Sequence, residues 1–514
     1  MLLIYPPVAK ACEPPAGIAH LAGALRGNGL PCTLLDANLE GLLFLLAAAG
    51  QPNDTWGKRA YRGLEANLEA LRNGQLYTKQ DRYQRAVADV NRMLELSGLK
   101  KNITLSLANY QDTALSPLRS RDLIRAAEHP GQNIFYAYFA KRLEGLLSED
   151  RPGLLGFSLN YLSQAIATFA MIGFVKQIAP ELTVVLGGGL VTSWLSNPGW
   201  KNPFNGLVDH LVAGPGADTL IRLMGAQDDL EHHRPDFDDL ALDNYLSPGF
   251  ILPYSASSGC YWNKCSFCPE KAEKNSYTAT SPDRVLTEID FLIRQTGPVL
   301  LHFLDNAISP ALLKALAAGP ESFSWYGFAR IQPALADVDF CRALRRSGCV
   351  MLKLGLESGN QDVLDSIHKG IELGLVADVL AALKSAGIST YVYLLFGTPS
   401  ETVVEARQTL DFIVRHAEAV TFLNLAIFNM PVCSPEADML DITRFSEGDL
   451  SLYTDFAHPH GWDRQAVRRF LDREFKRHPA VTPILRRDPP HFTSNHAPFF
   501  AGRILQMENV ESKM

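Results

Sequence analysis

The stretch Ser257-Ser258-Gly259-Cys260-Tyr261-Trp262-Asn263-Lys264-Cys265-Ser266-Phe267-Cys268 carries three closely spaced cysteines. Thiolates this close together can converge on one soft metal centre. A closed zinc site would need a fourth ligand, and the other cysteines form no second pair of similar spacing: Cys12, Cys32, Cys341, Cys349 and Cys433. Three thiolates therefore favour an iron–sulfur cube with one uncapped iron over zinc or a chance grouping.

The composition is that of a soluble globular protein with more than one domain. The chain has 514 residues, of which 47% are hydrophobic and 20% charged, and this length predicts two or three domains. A net charge of −7 without a basic block argues against a nucleic-acid partner. The start lacks a signal-peptide pattern, and the longest apolar run, 42–49, is too short to span a bilayer. Because a solvent-reachable iron–sulfur cluster needs reducing conditions, we expect a cytoplasmic protein without a membrane partner.

The first 225 residues alternate strand and helix patterns. A helix is predicted over about 17–26, and further helical periodicity ends near 178. Strands are predicted over 2–5, 31–35, 154–159, 183–186 and 208–212. This alternation predicts an α/β, doubly wound (Rossmann-like) domain over 1–225, with a polar helical insertion over 51–150. The polar stretch 226–249 has little periodic apolar content and is predicted to be a linker.

A second α/β series begins at residue 250. Strands are predicted over 252–256, 299–304, 324–328, 350–354, 390–395 and 421–426. Six alternating units of this length favour a partial (β/α)6 barrel over 250–434. The remaining residues, 435–514, form a C-terminal extension that has a predicted helix near 464–475 and no recognisable catalytic motif.

Polar or glycine-bearing segments follow the predicted barrel strands, where barrels of this kind gather their functional groups. The cysteine segment follows the first strand, and the segments after the next four strands are Asp305-Asn306, Arg330, Glu357-Ser358 and Gly397-Thr398-Pro399. Simpler interpretations remain open. Asp305-Asn306 could be a helix N-cap, Arg330 could belong to a surface ion pair, and Gly397-Thr398-Pro399 could be only a turn. Glu357 is harder to explain in this way, because an ionised buried carboxylate needs a partner.

Residues 250–430 resemble the core of radical S-adenosylmethionine (SAM) enzymes, because the cysteine segment and the four segments after it occur in the same order. The commonest family loop has three residues between its first two cysteines, whereas this chain has four. The resemblance implies that Cys260, Cys265 and Cys268 ligate a [4Fe–4S] cluster whose loop includes the aromatic Phe267. It also implies SAM contacts: Asp305 and Asn306 to the methionyl amino group, Arg330 to the methionyl carboxylate, Glu357 and Ser358 to the ribose or amino group, and Gly397, Thr398 and Pro399 along the adenine.

The N-terminal domain resembles the cobalamin-binding module that precedes many radical SAM cores. The residues that carry this resemblance are small or polar and follow predicted strands: Asp36, Asn38, Gly41, Ser158, Asn160, Gly187, Gly188, Gly189, Gly214 and Gly216. The cobalt-ligating version of the module has histidine in place of Asn38, so the resemblance implies a cobalamin without a protein imidazole on cobalt. The alternative is a sheet domain that has lost the cofactor or binds another ligand.

Together, the resemblances imply a cobalamin-dependent radical SAM enzyme. In the family's usual chemistry, a 5′-deoxyadenosyl radical and methylcobalamin methylate an unactivated carbon, here of a small-molecule or peptide substrate. A reductant such as flavodoxin or ferredoxin is the expected partner. Alternatives are radical rearrangement, cyclisation or oxidation without methyl transfer, and a non-enzymatic corrinoid-binding sensor. A methylthiotransferase acting on RNA is disfavoured, because the N-terminal half has only Cys12 and Cys32 for a second cluster. No residue identifies the substrate or a catalytic acid or base.

Overall fold

The structure is a computed structural model that describes residues 1–99, 101–197, 199–226, 233–320, 323–443 and 448–501. The chain divides into two compact units. One comprises Met1–Gly249 with Ser446–Leu452, and the other comprises Phe250–Phe445 with Tyr453–Met514. Each unit has its own parallel sheet, so the predicted α/β class with two parallel sheets is confirmed.

The first unit is built around a five-stranded parallel sheet with the order β2-β1-β5-β6-β7. The strands of this unit are β1 (Leu2–Tyr5), β2 (Thr33–Asp36), β3 (Ile103–Leu105), β4 (Tyr110–Asp112), β5 (Leu154–Ser158), β6 (Thr183–Gly187) and β7 (His210–Val212). Its helices are α1 (Ala16–Gly27), α2 (Ala37–Ala47), α3 (Thr55–Arg62), α4 (Leu64–Leu71), α5 (Gln80–Leu99), α6 (Ser120–Glu128), α7 (Tyr136–Asp150), α8 (Leu162–Ile178), α9 (Gly189–Leu195) and α10 (Ala217–Leu223).

This strand order explains where the first unit can bind a ligand. Strand β1 continues into β2 on one side, and the later strands β5, β6 and β7 extend the sheet on the other side. The order therefore reverses between β1 and β5, and open sheets of this type bind ligands outside the carboxyl ends of the strands at such a switch point. The central strands are continuous apolar runs because helices cover both of their faces.

The predicted insertion contains helices α3 to α7 and, in addition, an antiparallel hairpin that the sequence does not predict. Strands β3 and β4 pair from Ile103–Asp112 to Leu105–Tyr110. Each strand has only three residues, which is too short for its apolar alternation to stand out beside the neighbouring helices. A helix directly after β2 is a further element that the sequence does not predict: helix α2 begins at Ala37, so Asn38 and Gly41 lie in its first turns.

The second unit contains a six-stranded parallel sheet with the order β15-β14-β13-β12-β11-β8. The strands of this unit are β8 (Ile251–Tyr254), β9 (Ser257–Ser258), β10 (Thr278–Ala279), β11 (Leu300–Phe303), β12 (Trp325–Ala329), β13 (Cys349–Glu357), β14 (Ser389–Phe396), β15 (Phe422–Ile427), β16 (Met430–Pro431), β17 (Ile442–Thr443) and β18 (Tyr453–Phe456). Its helices are α11 (Pro269–Ala272), α12 (Pro282–Thr296), α13 (Pro310–Ala318), α14 (Val338–Arg346), α15 (Gln361–Ser366), α16 (Leu373–Ala386), α17 (Val403–Arg415), α18 (Arg464–Phe470), α19 (Thr482–Arg486) and α20 (Thr493–Phe500).

All five neighbouring pairs in this sheet are parallel, as the predicted partial (β/α)6 barrel requires. The carboxyl ends of the six strands therefore lie at one edge. Strand β13 is longer than predicted and reaches Glu357, where its register with β14 shifts. A π-helical turn, Leu471–Phe475, continues α18, so the helix predicted near 464–475 is present. None of the described helices is long and apolar enough to cross a lipid bilayer.

Candidate cluster and cofactor sites

The three neighbouring cysteines lie on residues 259–277, here called the cysteine loop. Backbone pairing of β9 with β10 closes this loop at its base, where Ser257 is opposite Ala279. Gly259 has a φ of +67°, and a Cβ at this position would lie 2.6 Å from the carbonyl oxygen of Ser276. Glycine is thus required where the loop leaves the hairpin, because any side chain would meet the opposite backbone.

The three thiols are half-buried, and each is free of a disulfide bond. Burial raises the pKa of Cys265, with Lys369 and Arg330 acting in the opposite direction, and burial also raises the pKa of Cys268 to about 11. A metal centre bound by these thiols would have to supply the positive charge that turns them into thiolates.

No three Cys, His, Asp or Glu side chains of the described residues are close enough to hold a single metal ion. A four-iron cube binds each cysteine through a different iron, so its three sulfurs need not meet at one point. Three thiols on one loop thus fit the cube.

An indole ring occupies the four-residue segment between the first two cysteines of the loop. The guanidinium carbon of Arg330 lies 3.7 Å from the ring centroid of Trp262. The ring nitrogen of Trp262 donates to the carbonyl oxygen of His368 at 3.3 Å. A terminal nitrogen of Arg330 donates to the carbonyl oxygens of Lys369 and Gly370, the latter at 2.7 Å. Arg330 therefore holds the longer loop against the segment that follows α15.

Asp305 and Asn306 also contact the base of the cysteine loop. Asp305 is 2% exposed and accepts hydrogen bonds from the backbone N–H of Ala256 at 3.1 Å and from the hydroxyl of Ser257. Burial raises the pKa of Asp305 in spite of these donors. The Nδ2 of Asn306 donates to the carbonyl oxygen of Gly259 at 3.1 Å. Ser309, rather than either of these residues, caps helix α13, so the N-cap interpretation is wrong.

Glu357 has the buried partner that its position demands. Its Oε1 lies 2.7 Å from the Nζ of Lys369, and both side chains are 11% exposed. Glu357 has a φ of +69° at the register shift of β13. A Cβ on Gly355 would lie 2.4 Å from Oε1 of Glu357. Gly355 therefore makes room for the ion pair. The sequence indicates that Glu357 needs a partner, but does not reveal Lys369.

Ser358 and Phe267 are each packed against other elements of the second unit. Ser358 is fully buried, and its hydroxyl lies 3.2 Å from that of Thr409 in helix α17. The ring of Phe267 packs against an apolar cluster that includes Leu395 and Met430, and it lies 5.5 Å from the Nζ of Lys369. Phe267 thus joins the cysteine loop to the carboxyl end of β14.

The loop after β14 is organised by a carboxyl group that sequence reasoning did not select. Gly397, with a φ of +83°, donates its N–H to Oε2 of Glu401 at 2.5 Å, and the indole of Trp462 donates to the same oxygen at 2.9 Å. Burial is the main cause that raises the pKa of Glu401 to about 7. Within the described chain, Oε1 of Glu401 and the hydroxyl of Thr398 are buried without a hydrogen-bond partner. Pro399 lies half-buried beside Thr398.

In the first unit, the turns after β5, β6 and β7 are linked by hydrogen bonds. Asn160 donates from Nδ2 to the hydroxyl oxygen of Ser158 at 3.0 Å and accepts at Oδ1 from the N–H of Gly189 at 2.9 Å. The N–H of Gly214 donates to the hydroxyl of Thr192 at 2.9 Å. Gly188 has a φ of +107°, and a Cβ on it would lie 2.5 Å from the carbonyl oxygen of Leu159. Gly187 ends β6, and Gly216 precedes helix α10.

The residues selected after β2 are packed differently. Asp36 caps helix α2, and its other oxygen accepts from the hydroxyl of Tyr245 at 2.6 Å. Burial is the main cause that raises the pKa of Asp36 to about 6. Asn38 is 1% exposed and accepts from the N–H of Ala9 at 2.7 Å. A Cβ on Gly41 would lie 3.1 Å from the ring of Phe135. These three residues therefore contact the protein interior.

Comparison with known proteins identifies the second unit. Residues 254–413 match the Radical SAM superfamily. An uncharacterized methyltransferase of Pyrococcus horikoshii is 26% identical over 188 residues, which cover 35% of this chain and 40% of that protein. The chain thus spans less than half the length of this relative. These findings relate residues 254–413 to the radical SAM superfamily.

Two solved structures share the fold. The cobalamin-dependent S-adenosylmethionine radical enzyme OxsB matches with a TM-score of 0.53 and 14% identity, covering 65% of this chain and 60% of that one. The radical SAM methyltransferase TsrM from Kitasatospora setae matches with a TM-score of 0.50 and 15% identity, covering 84% of this chain and 73% of that one. The resemblance predicted from the cysteine motif is confirmed for residues 254–413, which match the radical SAM superfamily, and the fold is similar to that of a cobalamin-dependent radical SAM enzyme.

Proposed function

We propose that the second unit binds a [4Fe–4S] cluster through Cys260, Cys265 and Cys268 and binds SAM at the open iron. The observation that carries this proposal is a loop with three free, half-buried thiols at the carboxyl edge of a parallel barrel sheet. When bound and reduced, this pair of cofactors supplies a 5′-deoxyadenosyl radical.

The residues around the loop have separate roles in this proposal. Asp305 and Asn306 fix the base of the cysteine loop and leave polar groups for the methionyl end of SAM. Arg330 packs on Trp262 and is hydrogen-bonded to Cys265 and to two carbonyls, and its five N–H groups still leave hydrogens for the methionyl carboxylate. Glu357, paired with Lys369, faces the ribose or amino group. The loop from Gly397 to Pro399 lies along the adenine.

We further propose that the first unit binds cobalamin at the linked turns after β5, β6 and β7. Support comes from the strand order, which has a switch point at this edge, and from the fold shared with OxsB, which is described as cobalamin-bound. No histidine occupies the place of Asn38, so this position would offer a bound cobalamin no imidazole. Asn38 itself is engaged with Ala9 and serves the packing of helix α2.

The reaction we propose is methylation of an unactivated carbon of a small-molecule or peptide substrate. The methyltransferase from Pyrococcus horikoshii and TsrM, described as a tryptophan-bound methyltransferase, support this choice over rearrangement, cyclisation or oxidation. A soluble reductant such as flavodoxin or ferredoxin is the proposed electron donor, and the net charge of −7 gives no reason to propose a nucleic-acid substrate.

The test is anaerobic turnover of the reconstituted protein with candidate substrate extracts, hydroxocobalamin, SAM and a strong reductant. We expect about four irons per chain, formation of 5′-deoxyadenosine and a product that is heavier by one methylene unit. Products that incorporate a label from methyl-labelled SAM distinguish methylation from the other radical reactions. Deoxyadenosine formation without any labelled product would contradict the methylation proposal.

A matched cysteine control separates cluster ligation from general thiol loss. The triple variant Cys260→Ala/Cys265→Ala/Cys268→Ala is expected to retain almost no iron. Cys433→Ala removes another half-buried free thiol of the same unit and is expected to leave the iron content unchanged. Equal loss of iron in both variants would contradict the assigned ligands.

A further inference from the structure

A cavity of about 410 Å³ lies inside the first unit, within the region that forms the helical insertion. It is bounded by the β3–β4 hairpin, by helix α6 and the turn after it, and by the first half of helix α8. This volume is in the range of small-molecule pockets. None of its lining residues belongs to the turns that we assign to cobalamin or to the cysteine loop.

The inner wall of this cavity is apolar. Ile103, Ala126, Ile166 and Ala170 are all buried, and each is at most 4% exposed. These side chains come from three different elements that are packed together, so the wall does not depend on one surface loop. Such a wall favours the aliphatic or aromatic body of a ligand, because apolar surface gains free energy when it leaves water.

The polar side of the cavity has a surplus of hydrogen-bond donors. The ammonium of Lys101 donates to the carbonyl oxygens of Gln132 at 2.8 Å and Asn133 at 3.1 Å, which leaves one of its three hydrogens. The side chain of Asn133 accepts from the N–H of Phe135 at 2.9 Å, but its buried Nδ2 has no partner in the described part of the chain. The exposed guanidinium of Arg125 also lines the cavity and forms no ion pair with any described residue.

The carboxylate that lines the cavity is already hydrogen-bonded. Asp112 is its one acidic lining residue, and Oδ1 of Asp112 accepts from the N–H groups of Ala114 at 2.7 Å and Leu115 at 3.2 Å. The hydroxyl of Tyr110 lies 3.5 Å from the other oxygen. Two cationic side chains and an amide donor therefore face a single carboxylate that is held by its own backbone. The cavity favours a ligand that brings oxygen acceptors and negative charge.

We propose that this cavity binds a small organic anion in which a carboxylate is attached to an apolar body. The apolar body contacts the wall formed by the hairpin and by helices α6 and α8. The carboxylate receives hydrogen bonds from Asn133, Lys101 and Arg125. This site is separate from the proposed cofactor sites and does not depend on the reaction that the enzyme carries out.

The test uses the full chain and two eight-carbon probes: octanoate, which carries an anionic carboxylate, and octanol, which carries a neutral hydroxyl. Isothermal titration is expected to show one saturable site for octanoate and binding of octanol that is at least tenfold weaker. Arg125→Ala is expected to weaken octanoate binding by about tenfold, the effect of losing one charged hydrogen bond. The matched control is Arg121→Ala on the same helix, because Arg121 is 77% exposed and does not line the cavity.

A second variant tests the buried amide. Asn133→Asp keeps the size of the side chain and replaces the donor by a carboxylate, so octanoate binding is expected to be lost. Arg125 is exposed, so the Arg125→Ala result remains decisive if the Asn133→Asp protein does not fold.

The proposal is overturned if octanoate does not bind, if octanol binds equally well, or if Arg125→Ala and Arg121→Ala behave alike. Displacement of octanoate by hydroxocobalamin would also overturn it, because the cavity would then belong to the cobalamin site.

Discussion

The two parallel sheets of this protein present different chemistry at their carboxyl edges. In the first unit, Ser158, Asn160 and Gly189 are linked by hydrogen bonds of 3.0 and 2.9 Å, and the turns after β5 and β6 carry small uncharged groups. In the second unit, buried charges at Asp305 and Glu357 depend on partners from other segments. The first edge is shaped by the backbone, whereas the second is held by ionic and polar contacts, so substitutions should affect the two edges through different mechanisms.

The largest expected effect follows from breaking the buried ion pair of the second edge. Lys369→Met leaves Glu357 as an unpaired buried carboxylate and should lower the free energy of unfolding by about 3–5 kcal/mol. The double variant Glu357→Gln/Lys369→Met removes both charges and should recover much of this loss. Chemical denaturation at neutral pH measures both variants. Equal losses in the single and double variants would contradict the pairing.

A smaller and pH-dependent effect is expected at Glu401. Its pKa is raised from the usual 4.5 to about 7, so the folded state binds the proton more tightly than the unfolded state. The contribution of Glu401 to stability should therefore be fully present below pH 4.5, be lost as the pH rises towards 7 and stay constant above that. The negative charge of the neighbouring Glu405 also raises the pKa of Glu401.

Glu401→Gln should remove this dependence. Its amide oxygen can still accept from Gly397 and Trp462, and no charge is buried. At pH 8 the variant should exceed the wild-type protein by roughly 2–3 kcal/mol, and the advantage should vanish near pH 4.5. The unfolding transition, measured at both pH values, checks this. A pH-independent difference would mean that Glu401 does not titrate in this range.

Asp305 should show the next effect in size. Asp305→Ala removes the acceptor for the N–H of Ala256 and the hydroxyl of Ser257, which costs about 1.5–3 kcal/mol for a charged acceptor. We expect weaker SAM binding and faster proteolysis at the cysteine loop, while cobalamin retention is unchanged. Asn306→Ala, which loses one neutral hydrogen bond, should have a smaller effect on both readouts. Cobalamin loss in Asp305→Ala would contradict the division of roles.

The smallest effect concerns two adjacent glycines of the first edge. Gly188→Ala should lower stability by about 1–2 kcal/mol, because its φ is positive and a Cβ would meet Leu159. Gly189 has only Asn160 near its Cβ position, at 3.8 Å, so Gly189→Ala should change stability by less than about 0.5 kcal/mol. Thermal unfolding measures both. Gly189→Trp should keep the fold but prevent cobalamin retention, and undiminished retention would contradict the proposed site.

Most of the fold could be predicted because its strands are long apolar runs. Leu2–Tyr5 and Thr183–Gly187 lie within a residue or so of the predicted strands, and the six barrel strands lie within a few residues of theirs. The β3–β4 hairpin could not be predicted, since its two three-residue strands lie within the polar, helical stretch 51–150. The start of helix α2 was missed because Asp36 caps it without any intervening turn.

The candidate site was predicted only in part, because sequence motifs identify residues and not their partners. The thiol triad and Glu357 stand out, since closely spaced cysteines and a carboxylate at an apolar strand end are unusual. Lys369 lies twelve residues from Glu357, and Trp462 lies in the C-terminal extension, so only the fold brings them to their partners. The contact of Arg330 with Trp262 also depends on how the cysteine loop folds back.

The central claim is that Cys260, Cys265 and Cys268 hold a [4Fe–4S] cluster with one iron open to SAM. Electron paramagnetic resonance of the anaerobically reconstituted and reduced protein, recorded with and without SAM, tests this most directly. We expect a reduced [4Fe–4S] signal whose g values shift when SAM is added, and no such signal in the triple alanine variant. A cluster signal that SAM leaves unchanged, or a colourless protein that contains zinc and no iron, would contradict the claim.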